Sequence, residues 1–114
     1  MPELDINVAI AENVMGWIVD RKTRRYCEPD RPEVWAWLPD FRFVDVDYQM
    51  FLQKMKSLGY LLTLGPNPSE ESEGTKPYFA ACFSGYGQRF PVSAHDARRA
   101  VLISALLARP VAAP

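Results

Sequence analysis

Tyr78-Phe79-Ala80-Ala81-Cys82-Phe83-Ser84-Gly85-Tyr86-Gly87-Gln88-Arg89-Phe90-Pro91-Val92, with the alanine- and leucine-rich run from Ala94 to about Ala108 behind it, is the stretch that decides the fold. Residues 78–84 predict a strand and residues 88–92 a returning one, joined by a tight Gly85-Tyr86-Gly87 turn where glycine permits positive φ. The pair is a hairpin. Ser93 followed by Asp96 approximates a capping box, with Asp in place of Glu, and starts a helix from Ala94. Ala97, Ala100, Val101, Ser104 and Ala108 form a small-residue stripe that permits close packing. Leu102, Ile103, Leu106 and Leu107 ring the rest of the helix. A helix apolar all round is buried or lies at an interface, so these four are a candidate self-association face.

Upstream of the hairpin, residues 60–64 predict a strand, and residues 65–76, with two prolines, two glycines and three glutamates, a solvated mobile loop. Before them, residues 47–58 carry the clearest helical period. Tyr48, Phe51, Leu52, Met55 and Leu58 make the apolar stripe, Asp45 or Asp47 can cap the start, and Gly59 ends it. Leu4, Val8, Ala11 and Met15 mark another helix over residues 4–15, with Ile6 and Ile10 on its other side and Gly16 as its stop. That pattern fits a helix packed on two sides, or one whose back meets a partner. Residues 17–22 can form a short strand, whereas Pro29, Pro32 and Pro39 make residues 26–42 read as irregular.

The elements predict an α+β fold: a small antiparallel sheet of about three strands packed with three α-helices as an α-β-α sandwich. At 114 residues and 13.0 kDa the chain is expected to be one domain over residues 1–109 with a tail at 110–114. Thirteen Lys and Arg against fourteen Asp and Glu leave a formal charge of −1, which argues against wholesale nucleic-acid or membrane-surface binding. Residues 1–20 have no basic start and apolar run of the signal-peptide kind, and the apolar stretch Ala100–Ala108 is too short to span a bilayer. Cys27 and Cys82 are therefore expected as free thiols in a reduced, cytoplasmic protein.

Chemistry finds little support. One histidine, His95, and two separated cysteines make no metal-ligand constellation, so neither a metal nor a cofactor is expected. Cys27 with His95 is the only conceivable thiol–imidazole pair, and both have plain structural roles. Asp45 and Asp47 lack a partner for hydrolytic work and are explained by capping. No residue is assigned as catalytic. Binding is better represented. Arg21, Lys22, Arg24 and Arg25 place four cations in five positions beside Tyr26, and Trp35 and Trp37 follow; Arg and Trp are enriched where partners bind. The plainer account is a solvated turn, with both indoles folded back as core. Tyr86 and Arg89 are a second candidate, a stacking platform and an anion contact for a nucleotide, although a hairpin turn explains the glycines around them equally well.

Ala11-Glu12-Asn13-Val14-Met15-Gly16-Trp17 resembles the end of the first helix in the phage ABA-sandwich domain family, to which NinX-like small phage proteins are similar. Asp47 ahead of Gly59-Tyr60, the strand Tyr78-Phe79-Ala80-Ala81-Cys82-Phe83, and Ser93-Ala94-His95-Asp96-Ala97 resemble further motifs of that family in the same order. Val44-Asp45-Val46-Asp47 keeps only the aspartate of the family's pattern, Leu52 stands where it has a tryptophan, and residues 21–42 have no counterpart. The resemblance implies a sandwich fold and a phage or prophage setting, and no general activity. The resulting expectation is a small non-catalytic accessory protein that binds a host or phage protein, with inhibition of a host defence system as a candidate role. A nucleotide sponge is the alternative.

Overall fold

The computed structural model describes residues 5–66 and 78–110, and the account below concerns those residues. Three helices and two three-stranded antiparallel sheets form an α+β fold. The chain runs α1 (Ile6–Asn13), β1 (Ile18–Asp20), β2 (Arg25–Glu28), β3 (Arg31–Trp37), α2 (Asp45–Ser57), β4 (Leu61–Pro66), β5 (Phe79–Gly85), β6 (Gln88–Ala94) and α3 (Ala97–Ala108).

The second sheet, in the order β4-β5-β6, contains the expected hairpin. Tyr86 and Gly87 have φ of 54° and 76°, so both central residues of the two-residue turn are left-handed, as a type I′ turn requires. Gly85 is needed for a different reason: a Cβ there would lie 2.8 Å from the Tyr60 ring, which closes that end of the sheet. Ala81 and Phe83 are buried, and alternation turns them to one face of β5. α3 lies on this sheet, with Ala100, Val101, Leu102 and Ala105 fully buried.

Ser104 joins helix to sheet. Its hydroxyl accepts the Phe83 N–H at 2.9 Å and donates to the Phe90 carbonyl, so one side chain ties α3 to two neighbouring strands. α1 is buried on two sides through Ile6, Val8, Ile10 and Ala11, as the double apolar pattern anticipated. α2 contributes Tyr48, Phe51 and Met55 to the core.

Several local expectations change. α3 begins at Ala97, one turn later than the Ser93 reading, because Ala94 still pairs with Phe79 in the sheet. The cap is Asp96, whose carboxylate accepts the Arg99 N–H at 3.1 Å. Neither Asp45 nor Asp47 caps α2. Val44 is the cap residue, the Asp47 carboxylate accepts the Asp40 N–H at 3.0 Å, and Asp45 binds Arg98 at 2.6 Å. Residues 26–42 are largely strand, so the expected irregular loop is instead the first sheet, in the order β1-β2-β3. Pro29 sits in its turn, and Pro32 in edge strand β3, where proline is tolerated. Gly65 and Pro66 belong to β4; the rest of the predicted 65–76 loop, and most of the 110–114 tail, lie outside the described residues.

A chain of aromatic contacts spans the molecule. Tyr26 of β2 stacks on Trp17 with centroids 4.0 Å apart, and Trp17 lies 6.2 Å from Phe41. Phe41 meets Phe51 of α2 edge-on at 6.5 Å, and Phe51 meets Phe83 of β5 edge-on at 6.1 Å. The first sheet is thereby attached to the core that holds the second. The segment carrying Phe41 is pinned as well: Asn7 accepts its N–H at 2.9 Å, and Arg42 donates twice to Asp96, at 2.7 and 3.0 Å.

Replacing Ser104 by Ala leaves the Phe83 N–H and the Phe90 carbonyl without the hydroxyl between them. A buried group left without its partner costs about 1–3 kcal/mol, so Ser104→Ala is expected to lower the unfolding free energy by that order in a denaturant titration. An acid-unfolding profile is a second expectation. Burial pushes the Asp96 carboxyl up, but the Arg42 and Arg99 hydrogen bonds outweigh it and hold the group below its ordinary value. Asp5 is held low chiefly by its hydrogen bonds to Arg24. A carboxylate lowered in the folded state stabilises above its unfolded value, near pH ~3.9, and that contribution disappears as pH falls through the folded value. Stability is therefore expected to fall below about pH 4, and Asp96→Asn to flatten the fall when the two profiles are overlaid.

Candidate binding surface on the first sheet

The turn between β1 and β2 carries the basic cluster, and the fold divides it. Arg21 bonds Glu12 at 2.7 Å, and Arg24 pairs with Asp5 at the start of α1. These two cations lock the turn onto α1. Asp20 accepts the Lys22 N–H at 3.1 Å and shapes the turn, while the Lys22 side chain is exposed. Arg25 opens β2, opposite Trp37 of β3, and its guanidinium lies 4.5 Å over the Trp37 ring.

β3 buries none of its seven residues. Trp35 is 45% exposed and Trp37 is 69% exposed, so neither indole folds back as core. Alternation puts Trp35 and Trp37 on one face with Arg25. Val34 and Ala36 take the other face, where they border a small hollow with Tyr26, Glu28 and Arg31. Tyr26 is held by the Trp17 stack on that inner side. The outer side is thus an aromatic and cationic surface, with Ile18 on β1 49% exposed as well. The sequence placed these residues in one candidate patch; the structure brings Arg25, Trp35 and Trp37 together and assigns Arg21 and Arg24 to the attachment of the turn.

The other candidates are placed elsewhere. Tyr86 is 78% exposed at the hairpin turn, but its hydroxyl donates to the Leu58 carbonyl at 2.6 Å and its ring meets Tyr60 edge-on. Arg89 is exposed on β6, paired with Ser84. Beside the turn, Leu58, Tyr60, Tyr86, Gln88, Ala108 and Pro110 line a groove of about 510 Å³, which sequence reasoning did not reach because its walls come from three separate segments. A smaller cleft of about 230 Å³ sets Asp5 and Asp40 against Arg42 and Arg99, a lining of mixed sign. Of the candidate self-association residues, Leu102 is fully buried in the core, a correction to its expected place on an outer face. Ile103 and Leu106 are half-buried, and Leu107 is exposed.

Both cysteines are free and buried, Cys27 in the first sheet and Cys82 in the second. The His95 ring packs 4.0 Å from Tyr78, apart from the strand that holds Cys27. Among the described residues no cluster of three or more His, Cys, Asp or Glu is placed to hold a metal ion. No described helix is long and apolar enough to cross a membrane.

No family model matches the chain, and neither does any curated protein. In fold it is similar to a phage protein from Bacillus cereus ATCC 14579 of known crystal structure. The TM-score is 0.66 over 93% of this chain and 90% of that one, at 17% identity. At that identity the likeness is one of fold.

The two exposed indoles give a direct check. Steady-state emission with acrylamide is expected to show a readily quenched component from Trp35 and Trp37, beside a protected one from the half-buried Trp17. Changing both exposed tryptophans to Phe is expected to remove the quenched component while the melting temperature stays nearly constant, since solvent-facing substitutions usually stay within about 0.5 kcal/mol.

Proposed function

We propose that this chain is a small, non-catalytic phage accessory protein that binds a protein partner through the outer face of its first sheet. The observation that carries the reading is the exposed Trp35 and Trp37 with Arg25 laid over Trp37. Exposed aromatic surface costs solvation and contributes nothing to this core; Trp and Arg are the residues that dominate binding energy at protein interfaces. A rigid backing adds to the case, because the Trp17–Tyr26 stack and the Arg21 and Arg24 ion pairs hold the patch in one geometry, which lowers the entropy cost of association. The likeness in fold to a phage protein and the resemblance to the phage ABA-sandwich family support a reading in which the partner is a host or phage protein in the bacterial cytoplasm. Inhibition of a host defence system is the role this setting favours.

A second reading rests on the groove beside Tyr86. Its volume of about 510 Å³ and its two tyrosines suit a planar small molecule. A nucleotide sponge would work in this way.

One set of proteins separates the two. Tagged wild type is expected to retain a specific partner from infected or host lysate, and Arg25→Ala/Trp35→Ala/Trp37→Ala to lose it, the complex weakening by about 2 kcal/mol or more. Retention of the same partner by the triple variant excludes the patch. The same preparations, heated with common and cyclic nucleotides, are expected to show no rise in melting temperature; a rise that Tyr86→Ala abolishes favours the groove instead.

A further inference from the structure

The mixed-sign cleft of about 230 Å³ is walled by the start of α1, the turn at residues 40–43 and the first turn of α3. It shares no residue with the first-sheet patch or with the groove beside Tyr86. Two of its charged groups are matched: Asp5 pairs with Arg24, and Arg42 with Asp96. The other two are not. Arg99 donates its backbone N–H to the Asp96 carboxylate, but its guanidinium enters no ion pair or hydrogen bond among the described residues. Asp40 uses one carboxylate oxygen, Oδ1, to accept the N–H groups of Arg42 and Phe43 at 3.2 and 3.0 Å, while Oδ2 has no donor among the described residues. Both residues are half-buried. Arg99 and Asp40 therefore border one small cleft without meeting as an ion pair. Two further donors lie on its α1 wall. Asn7 accepts the Phe41 N–H through Oδ1 at 2.9 Å, and its Nδ2 group has no acceptor among the described residues. Ile6 opens α1, where the N–H groups of the first turn lack helical acceptors and the positive end of the dipole favours a carboxylate.

We propose that this cleft binds a free α-amino acid with an uncharged apolar side chain, its carboxylate on Arg99 and Asn7 and its ammonium on Asp40. Unlike charges held apart in one half-buried space are both satisfied by a single molecule that carries both signs, and charge-assisted hydrogen bonds are the strong ones. The zwitterion matches the cleft charge for charge and leaves it neutral. Size agrees: at ~30 Å³ per molecule the cleft holds the volume of roughly eight waters. It falls short of the ~300–1,000 Å³ of sites for drug-sized ligands, so a nucleotide does not fit. A phosphate dianion would meet the carboxylate of Asp40. A charged side chain on the ligand would bring a third charge, for which the lining has no unmatched partner. The exposed Phe43 ring, 69% accessible, and Ile6 offer apolar surface to the side chain instead. This site goes beyond the partner-binding reading and does not depend on it.

Titration of the full chain with L-valine, L-leucine and L-methionine, one at a time, followed by calorimetry and by amide chemical shifts, tests this. At least one is expected to bind saturably, one molecule per chain, with shift changes centred on Asn7, Phe43 and Arg99. Its amide, which lacks the carboxylate, and its N-acetyl form, which lacks the ammonium, are each expected to bind about tenfold or more weakly. Arg99→Gln and Asp40→Asn are each expected to weaken the parent amino acid by about the same factor. Asp40→Asn keeps an oxygen for the Arg42 and Phe43 N–H groups, and Arg99→Gln keeps the backbone N–H at the Asp96 cap, so both are expected to retain the wild-type circular dichroism. Should either variant fail to fold, the two ligand derivatives and the shift map decide. No saturable binding of any of the three amino acids overturns the proposal. So does an N-acetyl form that binds as tightly as its parent, which would mark a plain anion site. Tighter binding of glutamate or lysine, or binding untouched by both substitutions, overturns it as well. None of these readouts involves Arg25, Trp35 or Trp37, so they fail or succeed separately from the pull-down.

Discussion

The Ser104 hydroxyl is the interaction on which the arrangement of this protein turns. It stands between the Phe83 N–H and the Phe90 carbonyl, and so sets both the height and the rotation of α3 over the second sheet. A hydroxyl can reach the strand backbone only if the helix comes very close. The neighbouring Ala100 and Ala105, both fully buried, permit that approach. With α3 fixed, Val101 and Leu102 enter the core, Asp96 is placed to cap the helix and receive Arg42, and Arg98 reaches Asp45. The polar contacts at the start of α3 thus lock the segment that delivers Phe41 to the core.

The two sheets have different physical situations. The second sheet has a face buried by Ala81 and Phe83 against the helices, and it contributes to the core directly. The first sheet is held through Val19, the Trp17–Tyr26 stack and the ion pairs of its turn to α1. Its last strand gains nothing from the core, since all of β3 is exposed. A strand rich in tryptophan, rigidly backed and left in solvent, is the feature that sets this protein apart from a simple sheet-and-helix sandwich.

Much of the fold was legible in the linear pattern. The hairpin over residues 78–92 follows from a Gly-Tyr-Gly turn between two apolar runs, and α2 from a stripe at helical spacing. The doubled stripe of α1 is legible too, because a helix touched on two sides must be apolar on two sides. Residues 26–42 were not legible. Three prolines there are ordinary evidence against regular structure, yet Pro29 forms the turn and Pro32 lies in an edge strand. The alternation that betrays a half-buried strand is missing because β3 is not half-buried. The starts of α2 and α3 escape the linear pattern for a related reason: Asp47 and Asp45 are engaged by Asp40 and Arg98, and Ser93 and Ala94 pair with β5, so partners outside each helix decide where it begins.

By itself, the sequence determined the number and kind of helices, the hairpin, the near-neutral charge, and the short segment where cations and tryptophans gather. Those properties are local: they depend on spacing along the chain and on the chemistry of single residues. The tertiary structure alone decided that Arg21 and Arg24 serve the attachment of the turn while Arg25 joins Trp37, that Leu102 belongs to the core, and that residues 25–37 form a sheet. Each of these rests on a contact between residues separated along the chain, Arg24 with Asp5 or Ser104 with Phe83, and one-dimensional periodicity carries no information about which distant partner a side chain will meet.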